Sequence, residues 1–420
     1  MKIRYLSTLD VTGGAAQGAH RLHRGLKASG VDCRMLVCRK DGDDPSVDVI
    51  ESPAGFPAWE ERLQMERKLK ASQVSPNPTV HSLNCFPSGL DMVLDELGAD
   101  VLQFHWIGSE TISIEEMGRL RTPVVWRLAD QWAFCGAEHY MEPGGTERFR
   151  EGYLEDNRPP GHSGVDLDRW TWERKRHAWR GWNPVIVAGS HWLGRQARES
   201  ILFRDKRVEV IPSGVETDVF RPLDKTEARQ AHGLPLDKHI VLFSAMNAAS
   251  DKRKGFDLLV HALREAASAG LGGSTELAVL GDDTPENPPD FGMPCHYLGR
   301  LKGDEALARA YSAADVAVAP SRLDNLPFTV MEALACGVPC CAFNVGGIPD
   351  MVEHRENGWL APAYDTADLA RGLAWILDDP DRAQALSRRA RTKVEQEFGI
   401  ELQAARYIKL YNNIPARRPR

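Results

Sequence analysis

Residues 319–345 read APSRLDNLPFTVMEALACGVPCCAFNV, and they restrict the architecture more than any other stretch. The apolar run after Asp315 continues to Ala319 and stops at Pro320-Ser321. An apolar run without polar alternation suits a strand buried on both faces of a parallel sheet. A polar loop, 321–326, follows. Pro327 suits the first helical position, Gly337 the residue past the helix end, and Pro339 the block to its continuation. Strand, loop, short helix and strand therefore follow in order, and the loop lies at a carboxyl strand end, where open parallel sheets bind ligands. Amides of residues 325–329 have no partners within such a helix and face an anion with a favourable dipole behind them. Asp324 and Glu332 flank that position eight residues apart. A carboxylate only accepts hydrogen bonds, so a vicinal diol is its natural partner.

The same alternation runs through the chain. Strand-like runs at 3–7, 35–38, 101–106, 124–128 and 185–189 are separated mostly by helical stretches, and a second series follows at 240–244, 277–280 and 297–300. This predicts an α/β protein with doubly wound parallel sheets. With 420 residues, the chain has room for two domains, each with its own core. Its net charge of −7 argues against nucleic acid as a partner. No apolar run approaches the roughly 18 residues of a membrane span, and residues 1–6 enter a strand pattern without the apolar core of a secretion signal. Eight cysteines without CxxC spacing, including the vicinal Cys340-Cys341, read as reduced thiols. The expected location is the cytoplasm, with peripheral contact at the inner face of the membrane as a further option.

Asp324 and Glu332, together with Pro327, Ala333, Gly337 and Pro339, resemble the acidic-x7-Glu signature of the family-four retaining glycosyltransferases. These enzymes have the GT-B architecture, two Rossmann-like domains facing each other across a cleft. The signature usually begins with Glu, and here it begins with Asp324. The resemblance implies that Glu332 holds the ribose diol of a nucleotide sugar, while Asp324, Asn325 and Leu326 hold the transferred sugar and Thr329 lines the donor site. Lys254-Gly255 matches the family's diphosphate lysine. The arginine usual about six residues earlier is Ala248, so Arg253 or Lys252 is left to supply the second charge. Gly13-Gly14, read as a loop before a helix at 19–29, matches a turn that approaches the donor phosphates, and Gly299-Arg300 matches the nucleobase position. It is not GxGxxG, which speaks against a dinucleotide cofactor. IPSGVETDVFRP, 211–222, resembles the string with which this family leaves its first domain.

Residues 126–140, WRLADQWAFCGAEHY, resemble a subgroup in which a His-Asp pair occupies positions 129 and 130. Here the histidine is Ala129. Asp130 is then the first candidate for a catalytic group in this half and His105 the second, because both follow strand ends and catalysis needs fixed geometry. His139, Trp132, Arg169 and Trp172 are the candidate acceptor contacts. Eight of the eleven tryptophans fall between Trp106 and Trp192, within or near a long polar insert at 138–181. For the basic run 169–176 two readings stand: a face for an anionic, lipid-linked acceptor, or a helix with a packed tryptophan side and a solvated basic side. Asp166-Leu167-Asp168 matches a metal-binding Asp-x-Asp but follows no strand, and Asp168 is read as a helix cap.

The expected domains are 1–215 on the acceptor side and 216–399 for the donor, with 400–420 packing back on the first. The function these readings imply is retaining, metal-independent transfer of a sugar from a nucleoside diphosphate to a saccharide or lipid-linked acceptor, in cell-surface polysaccharide synthesis. Two alternatives are a catalytically silent nucleotide-sugar binder and a sugar-nucleotide epimerase of the same architecture. No cofactor and no metal are expected.

Overall fold

The computed structural model describes residues 1–142, 145–245 and 251–415. Ala248 and the basic tail at 416–420 lie outside them. The chain forms two compact units, one of Met1–Gly214 with Glu401–Arg420 and one of Val215–Ile400.

The first unit is built on seven parallel strands: β1 Lys2–Leu9, β2 Asp32–Arg39, β3 Val47–Val49, β4 Val101–Phe104, β5 Val124–Leu128, β6 Val185–Ala188 and β7 Val208–Val210. Their spatial order is β3-β2-β1-β4-β5-β6-β7. Alternate side chains go to opposite faces of a strand, so Ile3 and Tyr5 pack in one core layer and Leu6 in the other. The second layer holds Trp126, Trp132, Trp172, Trp179 and Trp182. The first is completed by Ala404, Tyr407, Leu410 and Tyr411 from the terminal helix, Ile400–Asn412. Tyr411 donates its hydroxyl to Gln103 Oε1 at 2.8 Å, on the central strand β4. Helix α1, Gly14–Ala28, is longer than expected: Gly13 is its N-cap and Gly14 its first residue. Ala16, Ala19, Leu22 and Leu26 form its buried stripe, and that spacing holds the helix on the sheet.

The second unit carries six parallel strands: β8 His239–Ser244, β9 Thr275–Leu280, β10 Cys295–Gly299, β11 Val316–Ala319, β12 Cys340–Phe343 and β13 Gly358–Ala361. Their order, β10-β9-β8-β11-β12-β13, repeats the pattern of the first unit. In each sheet the strand order reverses beside the first strand, and the crevice at such a switch point is where doubly wound sheets take ligands. Leu242, Ala317 and Cys340 face one layer while Phe243, Val318 and Cys341 face the other. Cys340 and Cys341 thus point to opposite faces, and all eight cysteines are free. Burying a side chain such as Phe243 or Leu242 contributes about 1.5–3 kcal/mol.

Candidate functional site

Three loops converge at the carboxyl ends of β8, β11 and β12 in the second unit. The first contains a short 3-10 turn, Lys252–Lys254, closed by Gly255 at φ 67°. A side chain on Gly255 would collide with the carbonyl of Pro320, so only glycine lets this turn lie against the end of β11. The Arg322 N–H donates to Arg253 O at 2.7 Å, and Arg322 grips both oxygens of Asp257 at 2.7 and 2.6 Å. These contacts deliver Lys254 Nζ to Asp324 Oδ2 at 2.6 Å. Burial alone would raise the Asp324 carboxyl, but the Lys254 ammonium, Arg253 and the Asn325 N–H outweigh it and hold Asp324 below the usual carboxylate range. Asp324 is therefore a buried anion. The third loop fixes its backbone: Gly347 N–H donates to Asp324 O at 3.0 Å, and Gly346, at φ 56°, lies so close that any side chain would strike the same carbonyl.

Helix α3 leaves this junction as Phe328–Ala335, with Pro327 as its N-cap and no acidic residue in its first turn. Pro327 fixes the entry angle but lies outside the helix, one position earlier than its expected place. Asn325 and Leu326 are buried at the junction, and Thr329 is half-buried in the first helical turn. Glu332 is 4% exposed, and its Oε2 accepts the Tyr311 hydroxyl at 3.0 Å. Tyr311 Oη also lies 3.3 Å from Ser244 Oγ at the end of β8. The neighbouring crevice wall is made where Gly281 N–H donates to Gly299 O at 2.9 Å and Arg300 Nε to Gly281 O at 3.3 Å.

The first unit has its own polar cluster beyond β4 and β5. The chain turns after Asp130 and comes back as Glu138-His139, with Gln131 N–H donating to His139 O at 3.0 Å and His139 N–H to Val80 O at 2.9 Å. That return places His139 Nδ1 2.6 Å from Asp130 Oδ2 and Nε2 2.8 Å from Ser82 Oγ. Trp106 Nε1 donates to the same Asp130 oxygen at 2.9 Å, and Trp132 N–H to Asp130 Oδ1 at 3.0 Å. Lys175 is fully buried and holds the turn from beneath, donating to the carbonyls of Trp132, Cys135 and Gly136. Burial lowers its pKa to about 7. A small pocket opens beside Ala129 and Asp130, lined also by Trp106, Trp132 and His139.

With this geometry in place, the comparisons decide the family. The family described as Glycosyltransferase Family 4 matches residues 12–219, and that described as Glycosyl transferases group 1 matches residues 224–393. The chain belongs to the family 4 glycosyltransferases. A D-inositol 3-phosphate glycosyltransferase of Thermobispora bispora is 31% identical over 247 residues, 54% of this chain and 55% of that protein. Its namesake in Mycobacterium avium is 32% identical over 194 residues, 44% of each. The chain thus spans about half the length of the curated relatives it matches. Sucrose-phosphate synthase of Thermosynechococcus elongatus superposes with a TM-score of 0.69 at 20% identity, covering 98% of both chains. WaaG, a glycosyltransferase involved in lipopolysaccharide biosynthesis, gives 0.68 at 16% identity over 98% of this chain and 100% of its own. HepE of Anabaena, in complex with UDP and glucose, gives 0.65 at 15% identity over 99% and 100%. At these identities the likeness is one of fold, GT-B with two Rossmann-like domains.

In this family 4 glycosyltransferase, several expected contacts take other places. Lys175 Nζ lies 3.9 Å from the Trp132 ring and His139 stacks on that ring at 5.9 Å, and Trp172 stacks on Tyr153 at 5.5 Å. The two tryptophans are 2% and 3% exposed and pack in the core. His139 is 3% exposed and turned onto Asp130. Arg169 stays at the surface and pairs with Glu173 at 3.0 Å. Of the two readings of the basic run, the packed one describes Trp172, but Lys175 departs from it, being a basic residue that is fully buried. His105 is 2% exposed and stacked on Tyr5 at 5.1 Å, with neither ring nitrogen hydrogen-bonded among the described residues. Burial, then Arg127 and His23, drive its pKa well down, so it is a neutral ring unsuited to carrying charge. Asp166, not Asp168, caps helix α2, Leu167–Ala178, by accepting Arg169 N–H at 3.0 Å. Asp168 is buried and takes the Gln73 amide at 3.0 Å. Sequence reasoning missed Tyr311, Ser244 and Ser82. A tyrosine 21 residues before Glu332 carries no local signal, whereas Gly346-Gly347 was visible as a strand-end turn.

Proposed function

We propose that the chain is a retaining, metal-independent glycosyltransferase that moves a sugar from a nucleoside diphosphate to a saccharide or lipid-linked acceptor in cell-surface polysaccharide synthesis. The observation that carries this reading is the half-buried Lys254 paired with the buried Asp324 carboxylate, with the buried Glu332 following on the helix, at the converging ends of β8, β11 and β12. An ammonium has three donors, and one of the three on Lys254 goes to Asp324, leaving others for diphosphate oxygens. Arg253 adds positive charge to the same loop and the N-terminal end of α3 adds its dipole, so negative charge on a departing diphosphate is met by fixed dipoles and side chains. Lys254 and Arg253 would supply what a metal supplies elsewhere. Glu332, oriented by Tyr311, is suited to the two hydroxyls of a ribose, and Asp324 to hydroxyls of the transferred sugar. The relatives named as D-inositol 3-phosphate glycosyltransferases and the neighbour crystallised with UDP and glucose support a nucleotide-sugar donor. They leave the acceptor open.

The test is a thermal-shift screen of nucleoside diphosphates and their sugars, followed by transfer assays with and without a chelator. A ligand at 100 times its Kd stabilises by about 2.7 kcal/mol. The reading expects such a shift with one nucleotide, its loss in Lys254→Ala, and transfer that survives chelation. No shift with any nucleotide, or transfer abolished reversibly by the chelator, would contradict it.

A further inference from the structure

The cluster behind Asp130 has a definite direction. An ionised carboxylate only accepts, so at 2.6 Å from Asp130 Oδ2 the proton of the neutral His139 ring sits on Nδ1. Nε2 then accepts the Ser82 hydroxyl at 2.8 Å, while Ser82 Oγ accepts the Ser109 N–H at 2.9 Å, and Trp106 Nε1, 3.1 Å from Nδ1, gives its proton to Asp130 Oδ2. Three donors then converge on the carboxylate, from His139, Trp106 and the Trp132 backbone, which is how an ionised, acceptor-only group is held. Exposure falls inward, from 12% for the Asp130 side chain to 4% for that of His139, so of the two the carboxylate is the more open at the pocket beside Ala129. Packing protects the relay. Any side chain at Gly108 would run into Ser82 Oγ and the His139 ring.

We propose that His139, backed by Ser82, is a positioning residue that fixes the Asp130 carboxylate as an oriented anion, and that Asp130 is the acceptor-side catalytic group in a chain with alanine at position 129. The proposal rests on the glycosyltransferase reading. Its rigid anion accepts a hydrogen bond from the acceptor hydroxyl through the exposed edge. A carboxylate held by three donors keeps that geometry without reorganising during the reaction.

The experiment uses the full chain and whichever of UDP-glucose, UDP-N-acetylglucosamine or GDP-mannose shifts the parent's melting temperature most. Nucleotide release is followed at saturating donor. Asp130→Asn is expected to lower kcat by about 10² or more. His139→Phe keeps a ring but no nitrogens and should lower kcat at least about tenfold, the range that follows when an orienting contact is lost. His139→Asn returns an N–H near the Nδ1 position and should stay within about tenfold of the parent. The double variant Asp130→Asn/His139→Phe should be no slower than Asp130→Asn alone, because residues acting as one unit are not additive. All four should keep the parent's thermal shift with the sugar nucleotide. If His139→Phe does not fold, Ser82→Ala, which preserves the ring, takes its place, with kcat expected to fall about three- to tenfold. The proposal is overturned if His139→Phe (or the substitute Ser82→Ala) turns over at the parent rate, if His139→Asn is as impaired as His139→Phe, or if the double variant shows the product of the two single effects. A parent chain that binds and consumes none of the three sugars overturns the glycosyltransferase reading itself, and this one with it.

Discussion

At Glu332 one carboxylate oxygen accepts the buried Tyr311 hydroxyl, so the group is oriented by the protein itself. Glu332→Ala is expected to weaken nucleoside-diphosphate binding by about 1.5–3 kcal/mol, the range for a hydrogen bond to a charged group. Asp324→Ala should instead lower turnover with a smaller effect on the free nucleotide, since its side chain is held by Lys254 and is suited to the sugar. Titration calorimetry beside steady-state kinetics separates the two, and equal losses of nucleotide affinity would refute this division. Gly14 gives a different split. It is the exposed first residue of α1, with nothing within 4 Å of where a Cβ would stand. Gly14→Ala should therefore raise stability by about 0.4–1 kcal/mol by restricting the unfolded chain. If diphosphate oxygens approach that backbone in the complex, the same methyl lowers kcat/KM, so the melting temperature and the activity move in opposite directions.

At the level of elements, the loops at the carboxyl strand ends are held by contacts that a single methyl breaks. Gly346→Ala forces a side chain toward the Asp324 carbonyl at a positive φ, and a loss of at least about 1–3 kcal/mol with weakened donor binding is expected in denaturant melts. Strands such as Val316–Ala319 were legible in sequence because unbroken apolar runs end at polar or turn-forming residues. Asp324, Glu332 and Lys254 were legible because each sits at a fixed offset from such an end. The start of α1 was not, since Gly13-Gly14 reads as a loop until α1 is seen to begin at Gly14 with Gly13 as its cap. Nor was the fate of the tryptophans: the residue order shows that Trp126, Trp132, Trp179 and Trp182 are close in sequence, but not that they pack on one another behind the sheet. The partner of His139 is 57 positions away at Ser82, a distance no local pattern bridges.

Across the whole molecule, each unit has its own core, and each should respond to a different condition. In the first unit, burial and the neighbouring Glu66 push the Glu110 carboxyl up to about 8, against two backbone N–H groups that pull it down. Its folded value lies above the ordinary 4.5, so its stabilising contribution is complete below about pH 4.5 and is lost as pH rises through about 8. Glu110→Gln should flatten that decline in pH-dependent melts, and an unchanged slope would assign it elsewhere. Nucleotide should protect the second unit, which holds Lys254 and Glu332. The first unit is also the one whose core is finished by Tyr407 and Tyr411, from the far end of the chain. During synthesis its seven strands leave the ribosome first, yet the helix that completes the cover of one face, beside α1, is made only after the entire second unit. At about 5–20 residues per second, the nascent sheet waits on the order of ten to forty seconds with part of an apolar face uncovered. The half of the protein that is translated first is therefore the half that finishes folding last, and a chain that stops short of Ile400 leaves that part permanently open to aggregation and proteolysis.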